Sequence, residues 1–265
     1  MSTSAADQSS QEEKDPQFAY TLARGLDVLR AFDASSPVLG NRELSQRTGI
    51  SRPTVARLTR TLALQGYLKY NEATARYRLA ASVLSFGYPL LTQLSVRQMA
   101  RQQMQQLADY AKGAVSLAMR SGLNMVIVES CMDNNALTGR PDVGATRPIA
   151  STALGMAYYC AADAAEQAQI RELLQKDNAE GWLALEKQLN ESQLQFAAKG
   201  YCTLTTASVG IQAIAVPVRS NFDGETLVIN CAVAPFNLKS NALEQRIAPR
   251  LLNLVQGMEN AQGRA

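Results

Sequence analysis

The stretch that most constrains this chain is residues 41–66, NRELSQRTGISRPTVARLTRTLALQG. It reads as two short helices joined by a tight turn. The first covers residues 41–48, and Gly49 supplies the turn because glycine reaches positive φ at no steric cost. Ile50 plugs the space between the helices. Ser51 stands at the N-cap of the second helix, and Pro53 falls in its first turn, where a missing N–H is tolerated. Gly66 follows Gln65 as the stop. Val55, Leu58 and Leu62 recur at i, i+3 and i+7, one stripe that must be buried. Ser51, Arg52, Thr54, Arg57, Arg60 and Thr61 lie off it. This is the pattern of a helix-turn-helix, whose second helix enters the DNA major groove. Arginine can hold guanine O6 and N7 with two hydrogen bonds, and threonine can offer a hydroxyl or a methyl. The bland alternative is a solvated helix face.

Charge distribution weighs against that alternative. Residues 1–17 carry one Lys and four acids, residues 18–80 ten Lys/Arg against four Asp/Glu, and residues 81–265 fifteen of each. The basic excess therefore lies wholly on the segment that holds the two helices, as binding to a phosphate backbone requires. Residues 67–70 and 76–79 then read as two strands around the polar turn 71–75, forming a wing. Arg76 and Arg78, two apart, share a face, and Lys69 stands on the partner strand. These three are candidate phosphate or minor-groove contacts; the alternative is edge-strand charge that discourages aggregation.

The absence of histidine removes a large share of enzyme chemistry: no Ser-His-Asp or Cys-His arrangement can be built, and the commonest zinc ligand is missing. Cys131, Cys160, Cys202 and Cys231 are far apart in sequence with no C-x-x-C, so they read as small buried hydrophobes, with neither disulfides nor a metal cluster expected. No cofactor is implied. A length of 265 residues suits two domains better than one, and 46% apolar content is ample for packed cores. No apolar run of about 18 residues occurs, so no membrane span is expected. The N-terminal segment lacks a basic-then-apolar signal, and a cytoplasmic location is expected.

In chain order, residues 1–17 form a disordered acidic tail. Residues 18–80 form the DNA-binding domain, opening with a helix over 19–32 whose face is Leu22, Leu26, Leu29 and Phe32. Residues 33–40, with Pro37, form a turn. Residues 81–97 form a linker helix that Gly87 and Pro89 can kink. Residues 98–265 form a second domain. An amphipathic helix spans 98–112, with strands at 115–119 and 125–129 and a loop over 134–148. Helices follow at 151–162, 164–176 and 181–198. Strands cover 201–206, 212–218 and 226–233, and a last helix spans 238–256. This order predicts an antiparallel sheet with helices on its face, an α+β ligand-sensing domain. The start of the 151–162 helix offers free N–H groups and a positive dipole end for a carboxylate, with Arg147 as a bidentate partner; simple capping by Ser151 or Thr152 is the alternative. Met119, Met125, Met132 and Met156 are either soft pocket lining or plain core filler.

Across residues 19–256 the chain resembles the IclR family of bacterial transcription regulators. The carriers are LARGLDVLRAF (22–32), ELSQRTGISRPTVARLTRTLALQGYL (43–68), ARYRLAASVLSFGYPLL (75–91), RPIASTALGMAYY (147–159), GIQAIAVPV (210–218) and INCAVAPF (229–236). The opening helix and LSFGYPLL look most like the branch that controls catabolism of aromatic acids. The resemblance implies an N-terminal winged helix-turn-helix joined by the linker helix to a GAF-like effector-binding domain. It also implies a homodimer or dimer of dimers on double-stranded operator DNA, and a small-molecule effector, a carboxylate or aromatic metabolite. Carried over by motif, Ser151, Thr152 and Ala153 line the ligand pocket, together with Ala213, Cys231 and Val233. Thr203 falls where many members carry an acid, a departure from the family pattern. The leading reading is thus a ligand-responsive regulator of a catabolic operon. The alternatives are an enzyme or a non-regulatory binding protein for a small organic acid, and a sequence-blind architectural DNA protein, for which the neutral 81–265 segment is superfluous.

Overall fold

A computed structural model describes residues 17–136, 142–206, 210–219, 224–234 and 243–262. The expected acidic tail lies outside the described residues except for Gln17, as do residues 220–223 between the last two expected strands and the expected start of the last helix at Leu238. Two compact units meet between Thr92 and Gln93.

The first unit runs α1 (Tyr20–Arg30), β1 (Val38–Leu39), α2 (Asn41–Thr48), α3 (Arg52–Leu64), β2 (Leu68–Asn71), β3 (Arg76–Leu79) and α4 (Ser82–Gln93). Gly49 adopts φ 70° and ends α2 by donating its N–H to the Ser45 carbonyl. Ile50, Val55 and Leu58 enter a core with Leu39, Leu44, Leu68 and Tyr77, while Leu62 packs at its margin. The core also takes Val28 from α1 and Phe32 just beyond its end, with Leu29 at its edge. Leu22 and Leu26, expected on the same face, are 65% and 43% exposed, because the buried strip runs about a quarter turn around the helix from them. The segment read as a turn before α2 contains β1, a two-residue strand too short to show periodicity, which pairs Val38 with Arg78 and Leu39 with Tyr77. Helix α4 contains Pro89 and buries none of its residues.

The second unit runs α5 (Ser95–Ala111), β4 (Ala114–Ser121), β5 (Asn124–Met132), β6 (Thr146–Pro148), α6 (Ala153–Ala161), α7 (Ala164–Asp177), α8 (Trp182–Lys199), β7 (Cys202–Thr205), β8 (Gln212–Arg219) and β9 (Thr226–Val233). A π-helical turn, Leu243–Ile247, leads into α9 (Ala248–Gln262). The strands form one antiparallel sheet in the order β6-β5-β4-β9-β8-β7. Helices α5 and α9 cover one face; α6 packs on the other, against α7 and α8. Central strand β4 is buried on both sides until its last two residues. Helix α6 buries seven of its nine residues, as a helix without a polar face must. The amphipathic face of α5 is Ala100, Met104, Leu107, Ala108 and Ala111, joined by Val96 from an N-terminus three residues earlier than expected. Strand β6 lies in the stretch read as loop and holds Arg147 opposite Met125.

Candidate DNA-reading face and ligand pocket

Helix α3 presents Arg52, Arg57 and Arg60 to solvent, and none of the three guanidinium groups makes a hydrogen bond or ion pair among the described residues. Its opposite face is sealed by Val55, Leu58 and the fully buried Thr59, whose hydroxyl donates to the Val55 carbonyl at 2.9 Å. Ser51 takes the N-cap position, but its hydroxyl bonds that of the half-buried Thr54 at 3.0 Å and leaves the first-turn N–H groups open. The exposed Thr61 donates its hydroxyl to the Arg57 carbonyl at 3.0 Å, which leaves its methyl and acceptor lone pairs for any base.

In the wing, Lys69 stands directly opposite Arg78, both exposed. Two like charges facing each other across an antiparallel pair repel unless an anion lies between or above them. Neither makes an ion pair among the described residues. Arg76 differs from the expectation of a free phosphate contact. Its guanidinium donates to Glu43 at 2.9 Å and to the Val38 carbonyl at 3.2 Å, bracing the wing against α2. Glu43 also accepts the Gly40 N–H at 2.7 Å, and that bond, followed by Arg76, holds its carboxyl below the usual range. A second brace joins the helices. Arg47 donates to Asp33 at 2.7 Å and to the Ala31 carbonyl at 2.8 Å. The Ser35 hydroxyl and then Arg47 hold the Asp33 carboxyl at about 2.

The second unit contains a pocket of about 340 Å³ between the sheet and the start of α6, within the usual range for small-molecule sites. Five expected residues meet there: Arg147, Ser151, Thr152, Ala153 and Ala213. Thr152 is the N-cap; its hydroxyl accepts the Gly155 N–H at 3.1 Å and donates to the Pro148 carbonyl at 2.7 Å. The N–H groups of Ala153 and Leu154 in the first turn have no intrahelical acceptor, and both residues line the same pocket. Arg147 is the single charged residue among the described lining and makes no ion pair among the described residues. Gly155 lets this helix approach, since a Cβ there would lie 2.2 Å from the Ile149 Cα.

Cys231 and Val233 do not line the pocket. Both are fully buried on the α5/α9 side, because side chains alternate along β9 and the pocket takes Asn230 and Ala232 instead. Thr203 is also displaced. It faces a neighbouring open cleft, where Gln195 bonds its hydroxyl at 2.7 Å and its N–H at 2.8 Å, while Leu204 and Thr206 reach the pocket. Met119, Met125 and Met156 are buried core, and none of the four methionines lines the pocket. Residues missed by the motif are Ser116 and its register partner Asn230, 2% and 9% exposed. The Asn230 Oδ1 is buried without a hydrogen-bond partner among the described residues. A polar pair in the middle of two apolar strands was the sequence signal for it. No cluster of His, Cys, Asp and Glu among the described residues could hold a metal ion.

Residues 21–72 match the IclR helix-turn-helix domain, and residues 89–258 match the bacterial transcriptional regulator IclR C-terminal domain. The chain belongs to the IclR family. An IclR family transcriptional regulator from Brucella abortus is 37% identical, with a TM-score of 0.82 over 94% of this chain and 95% of that one. The HTH-type transcriptional regulator TsaQ1/TsaQ2 of Comamonas testosteroni is 26% identical over 94% of this chain and 90% of its own. An IclR homologue from Microbacterium hydrocarbonoxydans, solved with 4-hydroxybenzoate, shares the fold at 18% identity and a TM-score of 0.68, covering 92% of this chain and 100% of that one. This IclR chain is thus a DNA-binding transcription regulator with an N-terminal helix-turn-helix unit and a C-terminal α+β unit, and the matched proteins are regulators, not enzymes. No described helix is long and apolar enough to cross a membrane.

Proposed function

We propose that the protein is a cytoplasmic, ligand-responsive regulator of a catabolic operon whose effector is a small carboxylate, an aromatic acid in particular. The observation that carries this reading is the pocket's charge: one arginine, hydrogen-bonded to the Thr146 carbonyl at 3.0 Å but without an ion pair among the described residues, and the first turn of a helix, set in a largely apolar wall. Both attract an anion. The apolar wall of Ile127, Leu154, Ile211 and Ala213 suits a ring, and the orphaned Asn230 Oδ1 calls for a ligand hydrogen-bond donor away from the carboxylate. A hydroxy-substituted aromatic acid meets all three demands, in keeping with the 4-hydroxybenzoate held by the Microbacterium homologue.

On the DNA side, Arg52, Thr54 and Arg57 read bases with Ser51, Arg60 and Thr61 beside them, while Lys69 and Arg78 hold phosphates. Residues 18–80 are the DNA-binding domain, 81–97 the linker and 98–265 the effector domain. The operator-bound form is a homodimer or a dimer of dimers. Support for self-association comes from α4, which carries no charged residue and exposes Leu84 (80%), Phe86 (61%) and Tyr88 (68%). With Leu22 and Leu26 also uncovered, this is more apolar surface than a lone helix-turn-helix unit needs, and a second copy of the same patch would cover it.

The test is a thermal-shift screen of purified protein against benzoate, 4-hydroxybenzoate and aliphatic carboxylates, followed by retardation of upstream DNA with any hit. Stabilisation by a hydroxy-aromatic acid that also changes retardation supports the reading, since a ligand can shift DNA affinity only by binding the two states unequally. With the neutral amides and the amines matched to these acids added to the screen, stabilisation by those and not by the acids refutes it.

A further inference from the structure

We propose that Cys160 and Cys202 are a redox modification site: a dithiol that a hydroperoxide oxidises to an intramolecular disulfide and that small thiols reduce again. Sequence spacing gave no hint of it, since 42 residues separate the two. The fold brings them together. Cys160 is the next-to-last residue of α6 and Cys202 the first of β7, and their sulfurs lie 3.7 Å apart. Closing to a disulfide bond of about 2.05 Å needs a movement of roughly 1.6 Å. That movement falls on a helix end and on a strand that is last in the sheet order, bonded to β8 alone. The other two cysteines, Cys131 and Cys231, are both buried.

The two sulfurs differ in the way a nucleophile and a resolving thiol must. Cys160 is partly exposed, so a small oxidant can reach it, while Cys202 is fully buried. The single Cys202 S–H has two acceptors in reach, the Cys160 sulfur at 3.7 Å and the Ser192 carbonyl at 3.8 Å; donated to Cys160, it holds that thiol below its ordinary value and, with burial, pushes Cys202 above it. Burial pushes the Cys231 thiol up to about 12 and raises that of Cys131. Cys160 is therefore the thiol disposed to ionise, and the thiolate is the reactive form.

The chemistry balances in two steps. The Cys160 thiolate attacks one oxygen of the hydroperoxide and the O–O bond breaks. The leaving alkoxide or hydroxide takes up a proton, and Cys160 becomes a sulfenic acid. The Cys202 sulfur then attacks the Cys160 sulfur, the S–S bond forms, and the hydroxyl leaves as water with the Cys202 proton. Two thiols and one hydroperoxide give one disulfide, one alcohol or water, and one further water. Two equivalents of a small thiol reverse the link by exchange and leave as their own disulfide. The bond would tie α6, whose first turn opens the ligand pocket, to β7, whose Leu204 lines it. Any effect on effector binding rests on the pocket reading above; the covalent site stands without it.

The experiment treats the full chain with a slight excess of hydrogen peroxide, alkylates it under denaturing conditions and measures its mass. The expected result is a fall from four alkylatable thiols to two. A peptide joining Cys160 to Cys202 should appear, and dithiothreitol should restore all four thiols. Cys131→Ser and Cys231→Ser should behave as the parent. Cys202→Ser should instead trap a Cys160 sulfenic acid that reacts with dimedone, and Cys160→Ser should remain fully alkylatable. Four free thiols after peroxide, over-oxidation of Cys160 without a cross-link, or a disulfide between two chains would each overturn the assignment.

Discussion

Replacement of Gly155 by alanine tests the seating of α6 directly. A Cβ at this position would lie 2.2 Å from the Ile149 Cα, 2.3 Å from its carbonyl oxygen and 2.6 Å from its carbonyl carbon. Favourable carbon contacts begin near 3.5 Å, so helix and strand end must separate by about 1.3 Å. The obstructing atoms are backbone, which no rotamer change can remove. Ile149 is itself fully buried, and its N–H is tied to the Leu123 carbonyl at 2.9 Å. Overpacking of this kind costs about 1–3 kcal/mol, and the upper end applies because the neighbour is rigid. Alanine recovers about 1 kcal/mol of helix propensity, which leaves a net loss of about 2 kcal/mol. With a urea slope near 2 kcal/mol/M, the unfolding midpoint of the effector unit should fall by about 1 M. The helix start should move with it, so effector affinity should drop about tenfold, equivalent to about 1.4 kcal/mol. Gly257→Ala is the control: in α9 its Cβ would meet only the Gln103 side chain at 3.6 Å, and it should stabilise by up to about 1 kcal/mol. If Gly155→Ala matched the parent in both midpoint and effector affinity, the close approach of α6 to Ile149 would not be the constraint described here.

Three further outcomes are expected. Arg52→Ala should weaken operator binding by about 1–3 kcal/mol and relax sequence preference, while Arg78→Ala should weaken all sequences alike and lower the salt slope by about one; gel retardation at several salt concentrations separates the two. Asn230→Leu should leave the ligand-free protein as stable or about 1 kcal/mol more stable, because it removes an orphaned acceptor, yet abolish the thermal shift given by a hydroxy-aromatic acid. Asp33→Asn should lower the urea midpoint near neutral pH. The Asp33 carboxyl is held at about 2 against an ordinary 3.8, so its contribution is fully present above 3.8 and is lost as pH falls through about 2; the gap between variant and parent should close over that interval.

The helix-turn-helix and the wing strand Arg76–Leu79 were legible almost to the residue, since Gly49, Ser51, Pro53 and the Val55/Leu58 stripe are local signals. The strands and helices of the second unit were legible to within a few residues for the same reason. What escaped depends on pairing. Strands β1 and β6 are two and three residues long, and exist only because β3 and β5 offer them partners. Leu22 and Leu26 fit the expected stripe as well as Leu29 and Phe32 do, and only the packed core turns the helix so that Val28 is buried in their place. At the candidate pocket, motif transfer named the helix start and Ala213, and the helix-dipole argument named Arg147, but the motif took the other parity on β9, naming Cys231 and Val233 where Asn230 and Ala232 line the pocket. The rest of β9 is an apolar run buried on both faces and gives no alternation, so parity could be read only from Asn230, the one polar residue inside it. The pairing of Arg76 with Glu43, and the meeting of Cys160 and Cys202, are tertiary facts without a local signature.

The parity of β9 and its neighbours has a consequence for how such a receptor can be retuned. Where β4, β8 and β9 border the pocket, alternate side chains line it and those between belong to the packing under α5 and α9; farther along, the same parity passes into the core under α6 at Ala118, Ala215 and Val228. Ala114, Ser116, Ala213, Asn230 and Ala232 form the first set, and Val115, Leu117, Ile214, Cys231 and Val233 the second. Ligand preference and structural integrity are thus written on alternate letters of the same words. A combinatorial library confined to the first set would exchange one effector for another while leaving the second layer of packing unedited.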